Sequence, residues 1–507
     1  MSILKNNIKI AHFSLIMSFL NFIFFHFHFF EFVFKNIDYT SFNGILMIVS
    51  LIILMIILNA FVFYLLLYIS RYLGKTFLVL SFIINSIAIY FVNTYSVILD
   101  ESMIGNVFNT NIEESSSFFS VKLVLYLLFL GILPSIYIIK ADIITVPFKK
   151  FIKNIGITLA LILALVVANA NNLLWVDKNS KFLGGLAMPW SYTVNSALFY
   201  IHQLKKNEKE ILLPNATIKD NKKAVVVLVI GESARSENFS LYGYKKDTNP
   251  LLSKTENLFH FNATSSATYT TAGVKSILEH KKTGDLYEIL PNYLFRNNVD
   301  VVWRTSNTGE PPVHIKNYQK RDELAAHCKG EDCNYDGVLL SGLKEQILSS
   351  KKDKILIILH TSTSHGPTYS KKYPQRFEKF KPVCNSVELG KCSQTELINA
   401  YDNTIVYTDY LLSTIIDDLK QLKDYNSSMI FISDHGESLG ENNLYMHGIP
   451  MSIAPKQQYE IPFIVWTSGS KQLKPNKELN QGYVFHSVLN FLSVQSPIYD
   501  EKLNIFK

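Results

Sequence analysis

From Gly44 to Ser70 the chain carries no charged side chain. A water-soluble helix of that length would show a polar stripe every third or fourth position, and this one does not. A bilayer core about 30 Å thick is crossed by roughly 20 apolar residues in helical form. Five segments meet that demand, at about 10–31, 44–70, 76–99, 119–139 and 155–175. Thr76 to Leu99 and Ile155 to Trp175 are also uncharged throughout. The first apolar run is too long for a cleaved signal peptide, and no small-residue cleavage site follows it. His26 and His28, in "FFHFHFF" near the outer end of that span, read as interfacial and receive no role.

Charge divides the chain. The net charge is +7 with 18% charged residues, but the charges are sparse before residue 175 and plentiful after 206. With no arginine-rich tract and no zinc-finger spacing, nucleic-acid binding is not expected. Lys5 and Lys9, then Arg71 and Lys75, then Lys140, Lys149, Lys150 and Lys153 fall at one set of span ends. Asp100, Glu101, Glu113 and Glu114 fall at the other, where Lys35 is the one basic residue of the first connection. Because positive loops stay in the cytoplasm, the N-terminus is predicted inside and everything after Trp175 outside. The expected organisation is a transmembrane domain over 1–175, a linker over 176–221 and an external domain over 222–507. Within the linker, "MPWSYTVNSALFYIHQLKK" reads either as a helix on the membrane surface or as a plain connector.

All four cysteines lie in the external part, as Cys328 with Cys333 and Cys384 with Cys392. Their even number, short spacing and compartment predict two disulfides closing small loops. A four-thiolate zinc site is the other reading, but neither pair has its CxxC spacing.

Runs of Val, Ile and Leu recur between helical patterns: "AVVVLVI" (224–230), "VDVVWRT" (299–305), "KILIILH" (354–360), "SMIFISD" (428–434) and "IPFIVWT" (461–467). They predict a mainly parallel sheet covered on both faces, an α/β/α sandwich. In such folds ligands bind beyond the carboxyl ends of the strands. Glu232, His365, Asp434 and His435 all follow such ends, and His447 lies downstream in "ENNLYMHGIP". Carboxylates with imidazoles suit Zn²⁺. Taken singly, His365 beside a Gly-Pro turn or His447 reads as ordinary loop structure; their recurrence at one sheet edge is what points to a site.

"GESAR…NFSLYGY…TNP", "SHGP", "SDHGESLGE" and "MHGIP" occur in the order found in the membrane phosphoethanolamine transferases, which the chain resembles over essentially its whole length. These are alkaline-phosphatase/sulfatase-like enzymes that include the lipid A modifying and colistin-resistance enzymes. The resemblance implies that Glu232, Asp434 and His435 hold a catalytic Zn²⁺ together with Thr270, the nucleophile. It also implies that His365 and His447 bind substrate phosphate or a second Zn²⁺. The nucleophile lies within "SATYTTAGVKSIL"; the best ungapped match selects Thr270, with Thr271 the alternative. Some relatives clamp this stretch with a disulfide, and Ser276 stands where one of its cysteines would be. "WRTSNTGEPP" (303–312) resembles a substrate-contact loop without the lysine some relatives have, and is left unassigned.

The implied reaction passes phosphoethanolamine from phosphatidylethanolamine to Thr270, and from that phospho-threonine to an acceptor, foremost lipid A or lipooligosaccharide. The implied setting is the bacterial inner membrane, with the catalytic domain in the periplasm and the chain a monomer. Alternatives are a phosphoglycerol transferase of the lipoteichoic acid synthase type and an inactive membrane scaffold. A sulfatase would need Cys or Ser in a C/S-x-P-x-R context, which none of the cysteines has.

Overall fold

The computed structural model describes residues 7–110, 115–116, 118–172, 175–176, 179–206, 210–469, 472–474 and 478–507. Lys5, Glu113 and Glu114, used above to orient the chain, lie outside the described residues. Two compact units result: Met1–Ile104 with Phe119–Tyr200, and Gly105–Phe118 with Ile201–Lys507.

In the first unit, helices α1 (Ile10–Phe25), α2 (Phe27–Asn36), α3 (Phe42–Ile69), α4 (Arg71–Tyr95), α5 (Val121–Lys140) and α6 (Phe148–Ala168) pack together. Each of α3 to α6 is long and apolar enough to cross a membrane. The span expected at 10–31 is formed by a pair, α1 and α2, bent by 66°, which together are long and apolar enough to cross a membrane. His26 occupies the break, buried, with Nδ1 3.2 Å from the Asn21 carbonyl. A side chain that takes up a backbone group is what allows a helix to break in an apolar medium. Helix α6 begins at Phe148, so Lys149, Lys150 and Lys153 stand in its first turns rather than in a loop.

The packing of this unit reverses that of a water-soluble core. Phe129, Leu133 and Val167 are 62%, 60% and 65% exposed, while Asn21, Asn59 and Asn85 are fully buried. Asn85 Nδ2 donates to Asn21 Oδ1 at 2.7 Å, and Trp190 Nε1 donates to Asn59 Oδ1 at 2.8 Å. Apolar groups outside and amides paired inside suit lipid as the solvent.

The second unit is built on eight strands: β1 (Ala224–Gly231), β2 (Leu258–Thr264), β3 (Asp300–Thr305), β4 (Asn317–Lys320), β5 (Lys354–His360), β6 (Asn426–Ser433), β7 (Glu460–Thr467) and β8 (Glu478–Asn480). They lie in the order β8-β2-β7-β6-β1-β5-β3-β4. The runs read as doubly covered strands are so: every residue of β1 and of β5 is buried. β6, β1, β5, β3 and β4 are mutually parallel. The sheet is nonetheless mixed, because β7 runs antiparallel to both β6 and β2. No long helix carries the chain back between β6 and β7. Residues 434–459 stay at the rim where β6 ends, and β7 starts there, so the strand can only return in the opposite sense. That reversal keeps Asp434, His435, Glu437 and His447 on one edge. The sequence reading missed β2, β4 and β8; β2 is a partly exposed strand with no continuous apolar run.

Helices α7 (Thr270–Leu278), α8 (Gln394–Lys420) and α9 (Tyr483–Phe491) belong to the second unit. The "TELINAYDNTIVYTDYLLSTIIDDLKQL" pattern forms α8, opened by a capping box between Ser393 and Glu396.

Candidate active site

Glu232 and Asp434 leave the neighbouring strands β1 and β6 at the same level, and both are fully buried. Ser233 makes the turn possible with a left-handed backbone, φ 54°, a conformation that costs a non-glycine residue of order 1–3 kcal/mol. In return its N–H donates to Asp434 Oδ1 at 3.0 Å and its hydroxyl to Glu232 Oε1 at 2.7 Å. Asp434 Oδ1 also accepts from the His435 N–H at 2.7 Å, while its Oδ2 is buried with no hydrogen-bond partner among the described residues.

Thr270 is the first residue of α7, and that helix reaches the rim because of Gly273. A Cβ at Gly273 would stand 2.2 Å from the Asp434 carbonyl oxygen, so only glycine allows this backbone contact. Thr270 Oγ1 is 3.3 Å from Glu232 Oε2 and 3.3 Å from His435 Nε2. His435 Nε2 in turn lies 3.4 Å from Glu232 Oε1 and 3.3 Å from Asp434 Oδ2. Four ligand atoms about 2.0–2.1 Å from a tetrahedral Zn²⁺ stand roughly 3.3–3.4 Å from one another. Taken through Glu232 Oε1, which is 3.5 Å from Thr270 Oγ1 and 3.4 Å from His435 Nε2, the spacing stays near that value, and with the oxygen and nitrogen donor set and the orphaned Oδ2 it fits such an ion. His435 Nδ1 faces the Gly436 carbonyl at 2.8 Å, which directs Nε2 toward the site.

The electrostatics agree. Burial alone would raise the Glu232 carboxyl, but the hydrogen bond and charge of His435, with His365 and His447 behind it, hold it well below the usual range. Burial, and next to it the Glu232 charge, push Asp434 up to about 7. His435, which burial would lower, is raised to about 10 by Asp434 and Glu232. Two buried carboxylates this close call for positive charge between them.

His447 and His365 stand on the same edge. The rings of His435 and His447 are 4.2 Å apart, those of His365 and His447 5.4 Å, centroid to centroid. Ligand atoms of Glu232, His435 and His447 also fall within 4.8 Å of one another. Glu437 orients His447: its Oε2 accepts from His447 Nδ1 at 2.8 Å, and its Oε1 accepts from Tyr369.

The chain matches the family model described as "Phosphoethanolamine transferase EptA/EptB" over residues 54–204 and the "Sulfatase" model over residues 224–494. It is 40% identical to phosphoethanolamine transferase EptA of Helicobacter pylori over 501 residues, covering 95% of this chain and 94% of that one. The chain belongs to the phosphoethanolamine transferase family. Against phosphatidylethanolamine transferase Mcr-1 of Escherichia coli the identity is 32% over 441 residues, 80% of either chain. Among solved structures, the lipooligosaccharide phosphoethanolamine transferase A of Neisseria meningitidis shares the fold with a TM-score of 0.86 at 24% identity, covering 98% of this chain and 97% of that one. The periplasmic domain of EptC from Campylobacter jejuni is 37% identical, with a TM-score of 0.53, and covers 58% of this chain and 97% of its own.

Within this phosphoethanolamine transferase fold, three findings lay beyond the sequence. Arg235, which the "GESAR" stretch places beside Glu232, turns away from the site. It is buried, donating to the Glu437 carbonyl at 3.1 Å and to Glu441 Oε1 at 2.6 Å. Asn307, in the unassigned "WRTSNTGEPP" loop, donates to Glu232 Oε2 at 2.7 Å and to the Thr361 carbonyl at 3.0 Å. Glu437 was legible only as part of a motif, without its partner His447. Cys328 is bonded to Cys333 and Cys384 to Cys392.

Proposed function

We propose that the chain transfers phosphoethanolamine from phosphatidylethanolamine to a lipid A or lipooligosaccharide acceptor, by two displacements through a covalent intermediate on Thr270. The observation that carries this reading is the placement of the Thr270 hydroxyl among Glu232 and His435 at metal-ligand spacing, in a chain of this family.

Glu232, Thr270, Asp434 and His435 would hold a Zn²⁺ ion. When bound there, Zn²⁺ lowers the pKa of a coordinated hydroxyl and offsets charge on the phosphoryl oxygens. Thr270 Oγ1 gives up its proton as it attacks phosphorus in line, and the glycerol oxygen of the donor leaves with the electron pair of the broken P–O bond and takes up a proton, freeing diacylglycerol. A phosphate oxygen of the acceptor attacks in the second step and releases Thr270. The N-terminus of α7 favours the negative charge of the group being transferred. His447, fixed by Glu437 at Nδ1, and His365 serve the phosphate oxygens or a second Zn²⁺.

The bent pair α1 and α2 counts in this reading as one crossing, giving five, with the N-terminus in the cytoplasm. The domain over 222–507 then works in the periplasm, joined by the linker over 176–221 to the transmembrane domain over 1–175. The protein is taken as a monomer.

Mass spectrometry of lipids from cells with and without the protein tests the reading. One added phosphoethanolamine on lipid A, absent with Thr270→Ala, is the expected result. No such group on any lipid would overturn it, and a phosphoglycerol adduct on the isolated protein would shift it to the rival reaction.

A further inference from the structure

The loop 306–312 forms one wall of the candidate site. Asn307 holds Glu232 at 2.7 Å. Two residues on, Gly309 takes a left-handed backbone, φ 100°, and lies so close that a Cβ there would be 3.3 Å from Cγ2 of both Thr270 and Thr271. A loop placed this way needs anchors. Ser306 donates to Asp336 at one end, and Asn292 Nδ2 donates to the Pro312 carbonyl at 2.9 Å at the other. Between them the loop turns one carboxylate inward. Glu310 Oε1 accepts from Tyr318, on strand β4, and its Oε2 lies 3.5 Å from Nδ1 of His360, the last residue of β5.

His360 is fully buried and its Nε2 has no hydrogen-bond partner among the described residues. Its Nδ1 faces Glu310 Oε2 as an ion-pair contact at 3.5 Å and Thr305 Oγ1 at 3.5 Å, and its ring stands edge-on to Trp303. The next residue along, Thr361, supplies the carbonyl that accepts from Asn307. Glu310 thus ties the loop to the strand end that also holds Asn307. A carboxylate that serves only solubility would not be turned into the fold against a buried imidazole.

We infer that Glu310 is a positioning residue, a latch that closes on Tyr318 and His360 and so keeps Asn307 on Glu232. It touches no reacting atom, and it acts on the metal-ligand carboxylate through Asn307. This inference rests on the reading of Glu232 as a metal ligand. Groups that orient a ligating carboxylate typically change metal affinity 10–100-fold. One step further out, removal of the latch is expected to weaken binding about tenfold.

The test uses the full-length protein in detergent, loaded with Zn²⁺ against a competing chelator, with transfer measured separately. Glu310→Ala raises the zinc Kd about tenfold, and Tyr318→Phe moves it in the same direction by less. The double variant Glu310→Ala/Asn307→Ala binds no more weakly than Asn307→Ala alone, since the latch acts only through that amide. A zinc Kd within about twofold of wild type, or penalties that add in the double variant, overturns the inference. Should Glu310→Ala not fold, Tyr318→Phe and its double with Asn307→Ala carry the same comparison. A wild-type protein that binds Zn²⁺ but transfers nothing overturns the assigned reaction and leaves the affinity comparison standing. One that binds no Zn²⁺ overturns both.

Discussion

Two threonines stand side by side at the start of α7, and their surroundings differ. Thr270 Oγ1 reaches both Glu232 and His435, whereas Thr271 makes no hydrogen bond to either among the described residues. Thr270→Ala is expected to reduce transfer about a thousandfold or more and to remove the phosphorylated species from intact-mass spectra. Thr271→Ala should keep that species, and its loss there would reverse the assignment. Asn307→Ala removes the amide from Glu232 and should weaken zinc binding about 10–100-fold, as read by chelator competition. Buried between the Glu437 carbonyl and Glu441, Arg235 is expected to act on stability. Arg235→Lys keeps the charge and loses the two-sided geometry. It should lower the melting temperature more than it alters the affinity for lipid, and the opposite pattern would place Arg235 in the site after all.

At the scale of elements, the site depends on two close approaches. α7 rests on the backbone of Asp434 through Gly273, and the rim loop crosses itself at Gly436, where a Cβ would lie 2.0 Å from the Gln457 carbonyl oxygen. Gly273→Ala has no flexible side chain to displace. It should push the start of α7 off the strand end, costing about 1–3 kcal/mol and most of the zinc affinity. A circular-dichroism melt and a metal titration unchanged from wild type would show that α7 reaches the rim without that contact. The turn of β7 against β6 belongs to the same scale. "IPFIVWT" looks like any other buried strand, and its direction follows from where residues 434–459 release it.

For the whole molecule, one contribution to acid stability lies away from the site. Burial lowers His280 to about 4 and depresses His486 as well. The folded state therefore refuses a proton that the unfolded chain accepts below about pH 6.5. The stability contributed by neutral His280 is complete above that pH and is lost as pH falls from about 6.5 toward 4. His280→Gln should show a smaller drop in melting temperature than wild type between about pH 7.5 and 5. An equal drop would mean that other groups govern it. The membrane half has a kinetic role in this reading, since tethering raises the effective concentration of lipid-held substrates. A chain beginning after residue 175 should lose activity on intact membranes while keeping some on detergent-dispersed donor. Full activity on membranes would remove that role.

Composition and order along the chain were enough to separate an apolar, membrane-spanning half from a charge-rich one, because a span shows as some twenty nearly uncharged residues and a buried parallel strand as an unbroken apolar run. The motifs shared with the phosphoethanolamine transferases named Glu232, Thr270, Asp434, His435, His365 and His447, and the structure places these six side chains along one edge of the sheet. The bend at His26, the reversed β7 and the partly exposed strand β2 were not legible, for each is set by what packs against it. Likewise the departure of Arg235 and the arrival of Asn307 and Glu310 join residues from distant stretches, and side-chain direction has no signature in sequence. What a residue can do chemically is written in its type and its neighbours along the chain. Which of those chemistries meet at one point is decided only when the strands align and bring their ends to a common edge.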